Sequence, residues 1–355
     1  MITIVLTYRN REINIVKKCL ESLKTQTNKE FEVVLVNYGS EEKYKKAINN
    51  LVKDFSFLGI INCEVQNQLW CKSRAINIAL KKSKTPYIFV GDVDMIYHPE
   101  FVKTLINLQN EDKVTYFQVG FLSESESKKE KIFFDYNINF KSSEEATGMT
   151  LFNSNVLKQI NGYDEYYHGW GSEDTDVHVR LQNAGFKVSF FENEILMLHQ
   201  WHSKTYRNKD SKAPFHLALE KINQKYLSYT KATKKVVANT EFDWGEYNNE
   251  DYKLLCSATV EFKITNELSD VKGFIDNVLL SLKNQVVSLK VIEAVGYNSP
   301  KHFIKKVLGK KTKTFLSMQQ VNNLLLESII TSCRNSPYKY SFNKSKQEIH
   351  LTIKL

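Results

Sequence analysis

A chain of 355 residues, 42% hydrophobic and 25% charged, has room for one large domain and a smaller one and too many apolar side chains to be disordered. It holds no uninterrupted apolar run of roughly 18 residues, and its start, MITIVLTYRNRE, puts Arg9 and Arg11 where a signal peptide would still be apolar, so a soluble protein made in the cytosol is expected. The formal net charge of +9 favours polyanionic partners (nucleic acid, an anionic membrane surface or phosphate-bearing substrates), and five scattered cysteines without a C-x-x-C pair do not describe a disulfide framework.

The first ninety-odd residues alternate apolar runs with amphipathic segments. Residues 2–7, 31–37, 60–65 and 86–94 read as strands, and helical spacing covers 13–23, 44–55 and 72–82. Strands that are apolar almost throughout, separated by helices, predict an α/β fold with a mostly parallel sheet covered on both faces. Ligands of such sheets bind at the carboxyl ends of the strands, where TYRNR, NYGS and GDVD fall. Next comes SESESKKEK (123–131), read as a solvated hairpin or loop, and SKTYRNKDSKAP (203–214) reads as a lid or surface loop. Near the end, residues 281–299 echo 22–40, and 334–345 echo 83–94. The echo suggests a smaller α/β domain that partly repeats the first, with Asn343-Lys344-Ser345 in place of Asp92-Val93-Asp94. The same similarity also arises between any two strand-helix-strand units. The expected domains are 1–215, a helical linker 216–252, and 253–355.

Three constellations carry chemistry. In GDVDM (91–95) the two aspartates, if the chain stays extended, project to one face and could address one divalent cation. In WGSED (170–174), Ser172 reads as a helix N-cap, with Val177, Leu181 and Ala184 at helical spacing and Gly185 as the stop. Glu173 and Asp174 then fall in the first turn, where the backbone N–H groups favour ionised carboxylates. Acids are common at helix starts; the glycines flanking Trp170 add the expectation of a sharply turning backbone that displays the indole at a cavity edge. In HQWH (199–202), a turn would let His199 and His202 reach one ion. Arg9, Arg11 and Lys72 lie near strand ends or helix starts, where they could neutralise a diphosphate.

These segments in this order resemble a GT-A-fold glycosyltransferase of the family 2 type whose later part is similar to the β-1,4-galactosyltransferase and bacterial chondroitin-polymerase group. The resemblance spans about residues 1–215 and implies a nucleotide-diphospho-sugar transferase fold, Rossmann-like, plus the smaller C-terminal α/β domain. It implies that Thr7, Tyr8, Arg9 and Lys72 contact a nucleotide diphosphate and that Asp92 of the Asp92-Val93-Asp94 element faces the ribose. Asp94, His199 and His202 would bind manganese, with magnesium as the alternative. Trp170, Gly171 and Glu173 would meet the acceptor, and Asp174 would be the catalytic base. Asn37 stands where related enzymes often carry a uracil-reading aspartate. The reading that follows is an inverting, metal-dependent hexosyltransferase. It would use a UDP-sugar and a saccharide or lipid-linked acceptor in surface polysaccharide synthesis, in the cytoplasm or peripherally at the inner membrane surface, as a candidate homodimer. A retaining transferase on the same fold is the rival within that class. A basic nucleic-acid-binding protein is the rival outside it, but the aromatics fall inside strand patterns and no nucleic-acid signature appears.

Overall fold

The computed structural model describes residues 1–203 and 214–355, the side chain of Lys306 excepted. They form two compact units, one of Met1–Cys63, 70–203 and Leu219–Tyr247, the other of Glu64–Leu69, 214–218 and Asn248–Leu355.

The first unit begins with β1 (Ile2–Tyr8), α1 (Ile13–Lys24), β2 (Phe31–Tyr38), α2 (Glu42–Leu51), β3 (Leu58–Cys63), α3 (Lys72–Lys82) and β4 (Tyr87–Asp92). It continues through β5 (Met95–Tyr97), α4 (Phe101–Asn107), β6 (Lys113–Phe117), β7 (Gly120–Leu122), α5 (Glu124–Ser127), β8 (Ile138–Lys141), β9 (Thr150–Asn153) and α6 (Ser154–Gln159). It closes with α7 (Glu173–Asn183), β10 (Lys187–Phe191), β11 (Met197–His199) and α8 (Leu219–Thr233). Seven strands make one sheet in the order β10-β6-β9-β4-β1-β2-β3, parallel except for β9, which runs against both β4 and β6. All of β1 is buried, as an inner strand covered on both faces must be. Its register sets Thr7 beside Val36 and Asp92, and Tyr8 beside Asn37, so three strand ends finish in one row. A second sheet, β5-β11-β7-β8, packs its own small core of Ile96, Leu122, Tyr136 and Leu198.

The stretch 123–131, expected as a solvated loop, contains the single turn α5. The Ser123 hydroxyl accepts the Glu126 N–H at 3.2 Å, and the buried Glu126 carboxylate takes Lys129 at 2.6 Å and Lys131 at 2.5 Å. Of 203–214, the expected lid or surface loop, residues 204–213 lie outside the described residues.

The second unit holds α9 (Asn249–Leu254), β12 (Val260–Thr265), α10 (Leu268–Phe274), β13 (Val286–Ile292), α11 (Pro300–Val307), α12 (Met318–Ser332), β14 (Tyr338–Asn343) and β15 (Glu348–Lys354). β12 and β13 are parallel and joined through α10, like β1 and β2 through α1. The likeness stops there, because the order is β12-β13-β15-β14. The strand matched by sequence to β4 pairs with β15 at the far edge, whereas β4 pairs with β1. No helix of the described residues is long and apolar enough to cross a membrane.

Candidate active site

The row of strand ends supplies the floor. After β1 the chain turns through Asn10 (φ 51°), whose side chain accepts the Glu41 N–H at 2.8 Å while its own N–H donates to the Ser40 hydroxyl at 3.1 Å. The Tyr8 ring is buried and its hydroxyl donates to the Arg11 carbonyl at 3.0 Å. Tyr8 therefore fixes the loop that carries the half-buried Arg9 and Arg11, and Thr7, also buried, precedes it as the penultimate residue of the strand. Asn37 is buried at the end of β2. Its amide donates to Asn62 Oδ1 at 2.8 Å, and its own Oδ1 has no partner among the described residues.

The expectation that Asp92 and Asp94 share one face does not hold. The chain stops extending at Asp92, turns through Val93-Asp94 and restarts as β5, so the two-residue alternation is broken. Val93 packs into the core, Asp92 meets Lys72 Nζ at 3.3 Å, and Asp94 faces Arg11 Nη2 at 3.1 Å. The antiparallel pairing of β11 with β5 sets His199 beside Met95, next to Asp94, and the Gln200 N–H donates to the Asp94 carbonyl at 2.9 Å. His199 Nε2 thus lies 3.7 Å from Asp94 Oδ1, and His202 Nε2 lies 3.3 Å from Oδ2. Ligand atoms of the three residues all lie within 4.8 Å of one another.

This triad fits a divalent cation. Asp94 Oδ1 is buried without a hydrogen-bond partner among the described residues, an acceptor left for something else to use. Burial pushes the Asp94 pKa up, but His199, the His202 hydrogen bond and Arg11 outweigh it and hold the carboxyl below its usual range. Burial lowers the pKa of His199 against the pull of Asp94, which favours the neutral imidazole a metal needs and argues that this contact is no ion pair at neutral pH. His202 Nδ1 lies 3.0 Å from the Ser203 carbonyl, which suits a Nδ1–H tautomer whose Nε2, the atom facing Asp94, is the one a metal would take.

Across the floor stands the start of α7. Gly169 (φ 76°), Gly171 (φ 96°) and Ser172 (φ 77°) are all left-handed, so the backbone turns sharply about Trp170, as the flanking glycines suggested, and the indole is exposed. Ser172 occupies the N-cap position, but in that conformation its side chain makes no capping bond, contrary to expectation. Lys72, the first residue of α3, reaches Asp174 Oδ2 at 3.2 Å and Glu173 Oε1 at 3.9 Å besides Asp92. Burial opposes its charge, yet Asp174, Asp92 and Glu173 outweigh that and hold its pKa well above the ordinary lysine value. Burial raises the pKa of Asp92, as do Asp94 and Asp174, against Lys72. Burial, then the neighbouring Asp174, push Glu173 up to about 7 against the pull of Lys72. Asp174 Oδ1 is buried without a partner among the described residues.

The other acids of this stretch do structural work. Glu165 accepts from Arg74 Nε at 2.6 Å, Asn77 Nδ2 at 3.0 Å and the Gly245 N–H at 2.7 Å. Asp176 accepts from Arg180 Nε at 2.7 Å, Tyr167 at 3.0 Å and Thr230 at 2.9 Å. Asp164 takes Lys235 at 2.8 Å and Tyr226 at 2.9 Å. A buried carboxylate is tolerable only with such partners. Sequence reasoning passed over these residues, and half of the partners named come from 219–247, within the stretch expected to be a helical linker, for which no motif pointed to the site.

A mostly parallel sheet thus gathers basic and acidic side chains at its carboxyl edge, where α/β folds bind their ligands. Residues 3–160 match the family model for glycosyl transferase family 2, and residues 130–203 match one described as the N-terminal domain of galactosyltransferase, so the first unit carries a glycosyl transferase family 2 domain. Over 94 residues it is 34% identical to the teichoic acid poly(glycerol phosphate) polymerase of Staphylococcus epidermidis, a match covering 26% of this chain and 12% of that protein. Among solved structures, S. aureus TarS 1-349 in complex with UDP matches at 16% identity and a TM-score of 0.42, over 56% of this chain and 59% of that one. The mannosyltransferase PcManGT from Pyrobaculum calidifontis, in complex with GDP-Man and Mn2+, matches at 12% identity and a TM-score of 0.43, over 66% and 71%.

Proposed function

We propose that the chain is an inverting, metal-dependent transferase that moves a hexose or N-acetylhexosamine from a UDP-sugar to a saccharide or lipid-linked acceptor of a surface glycopolymer. The carrying observation is the Asp94–His199–His202 triad, flanked by Arg11, in the same strand-end row from which Lys72 reaches Asp92, Glu173 and Asp174. The partial identity to a teichoic acid polymerase supports the glycopolymer context.

A manganese ion held by Asp94, His199 and His202 would supply Lewis-acid stabilisation of the UDP leaving group. A mixed carboxylate and imidazole set suits manganese better than magnesium. Arg9, Arg11 and Lys72 add positive charge beside the same diphosphate, and Asn37 Oδ1 offers the base an acceptor. Asp92 faces the ribose, and Trp170 and Gly171 border the acceptor. As the bond from the anomeric carbon to the diphosphate oxygen breaks and the acceptor oxygen bonds that carbon from the opposite face, the acceptor proton passes to Asp174. Glu173 then orients the acceptor hydroxyl. A second assignment follows from the pKa of about 7 at Glu173, which matches what a general base needs near neutral pH. Under it the two carboxylates exchange roles.

The test is release of UDP from a panel of UDP-sugars with manganese, with product configuration read by NMR. Asp174→Asn is expected to lower kcat by about 100-fold to 10,000-fold, and Glu173→Gln mainly to raise the acceptor KM. The reverse pattern selects Glu173 as the base. No turnover of any UDP-sugar, or Asp94→Ala as active as the parent, refutes the reading.

A further inference from the structure

The second unit carries a feature unrelated to sugar transfer. Along α11 and the residue after it, Phe303, Ile304, Val307 and Leu308 are 68%, 55%, 70% and 62% exposed. At about 100° per residue these four share an arc of roughly 140°. His302 falls on the opposite side of the helix, where its ring packs on Phe315 at a centroid distance of 5.1 Å. The helix is held to its unit through His302 and turns its apolar arc to solvent.

Charge surrounds that arc with one sign. From Ala294 to Leu326 the sequence has six lysines and no aspartate or glutamate. Lys301, Lys305, Lys310 and Lys311 are exposed and have no ion-pair partner among the described residues, while Lys313 is offset by Glu267 at 2.5 Å. An apolar helix face ringed by unneutralised lysines suits an anionic bilayer surface, where apolar side chains enter the headgroup boundary and lysine stems reach back to the phosphates. Eight residues are too few to span a bilayer, so the helix must lie in its plane. A second copy of the chain fits poorly. A two-fold contact through this face would set the same lysines against each other, and four side chains fall far short of the roughly 800 Å² per partner of a stable interface.

We propose that α11 is an interfacial anchor that docks this enzyme on an anionic lipid surface, whichever sugar it transfers. The test is flotation of the full-length chain with vesicles of phosphatidylcholine alone or mixed equally with phosphatidylglycerol. Binding to the anionic vesicles is expected to be at least about tenfold tighter and to weaken in high salt. Phe303→Glu with Val307→Glu should abolish it, and Lys301→Gln with Lys305→Gln should weaken it about tenfold or more, with UDP affinity and melting temperature unchanged in both variants. Failure to bind anionic vesicles, equal binding to both vesicle types, or full binding by the Phe303/Val307 variant would overturn the proposal. So would a dimer seen by light scattering that the same variant dissolves, because the face would then belong to a second copy.

Discussion

His178 lies one helical turn beyond Asp174, buried, with Nε2 3.0 Å from the Thr150 hydroxyl and its ring packed on Tyr116 at 4.9 Å. Burial lowers its pKa to about 4 against the weak pull of Asp174. The folded state therefore binds this proton less tightly than the unfolded chain. The stability His178 contributes is present above the ordinary histidine value near 6.5 and is lost as pH falls towards 4, about 3 kcal/mol across the window. Thermal melts between pH 4 and 7 should show that slope, and His178→Asn, which cannot take up the proton, should flatten it. An unchanged slope would assign the acid sensitivity to other groups. Nearby, Asp176 and Arg180 are both fully buried and paired at 2.7 Å. Asp176→Ala strands the guanidinium and should cost about 3 to 5 kcal/mol in urea denaturation, whereas Asp176→Leu with Arg180→Met should cost much less. A double variant as unstable as the single one would show that the remaining Asp176 and Arg180 hydrogen bonds matter more than the pair.

At the scale of elements, two pairings bring the candidate site together: β11 against β5, and the segment 219–247 around Asp164, Glu165 and Asp176. Gly245 shows how tightly that segment is fitted. It has φ +64°, and a Cβ there would lie 2.8 Å from the Asn77 carbonyl oxygen, on the backbone of α3. Because backbone cannot move aside, Gly245→Ala should destabilise by about 2 kcal/mol or more and show as a lowered melting temperature. An unchanged melting temperature would mean the segment yields readily at that point. The parallel strands, the helix start at Glu173 and the sharp backbone about Trp170 could be read from sequence, since each rests on local periodicity or on glycines within a few residues. Asp94, His199 and His202 could be named as a set through family resemblance alone. Spacing could not bring them together, because their meeting depends on a three-residue antiparallel pairing across about a hundred residues of chain. The turn at Val93-Asp94 was hidden for a related reason. Nothing within the apolar run 86–94 marks where extension ends, and Asp94 swings away from Asp92 towards partners contributed from elsewhere. Asp164, Glu165 and Asp176 were passed over because what sets them apart is their buried cations and amides, and those partners carry no motif.

Across the whole molecule, the chain leaves the first unit after Cys63 and returns at Trp70, so Glu64–Leu69 belongs to the second unit although it sits between β3 and α3. Inside the second unit that segment is tied by three bonds. The Leu69 N–H donates to the Tyr338 hydroxyl at 2.8 Å, the Tyr340 N–H donates to the Asn67 carbonyl at 2.9 Å, and the Tyr252 hydroxyl donates to the Gln66 carbonyl. Three residues after Leu69 comes Lys72, the cation shared by Asp92, Glu173 and Asp174. Order in the segment should therefore pass along the backbone into the placement of that ammonium. Replacing Tyr252 and Tyr338 together by phenylalanine removes two side-chain hydrogen bonds of about 1 kcal/mol each without touching a candidate site residue. The expected result is faster amide exchange in 64–69 and a Kd for UDP with manganese raised by up to about tenfold, with the melting of the large sheet little changed. Faster exchange in 64–69 combined with unaltered UDP affinity would show that the second unit holds the segment without influencing how Lys72 is set.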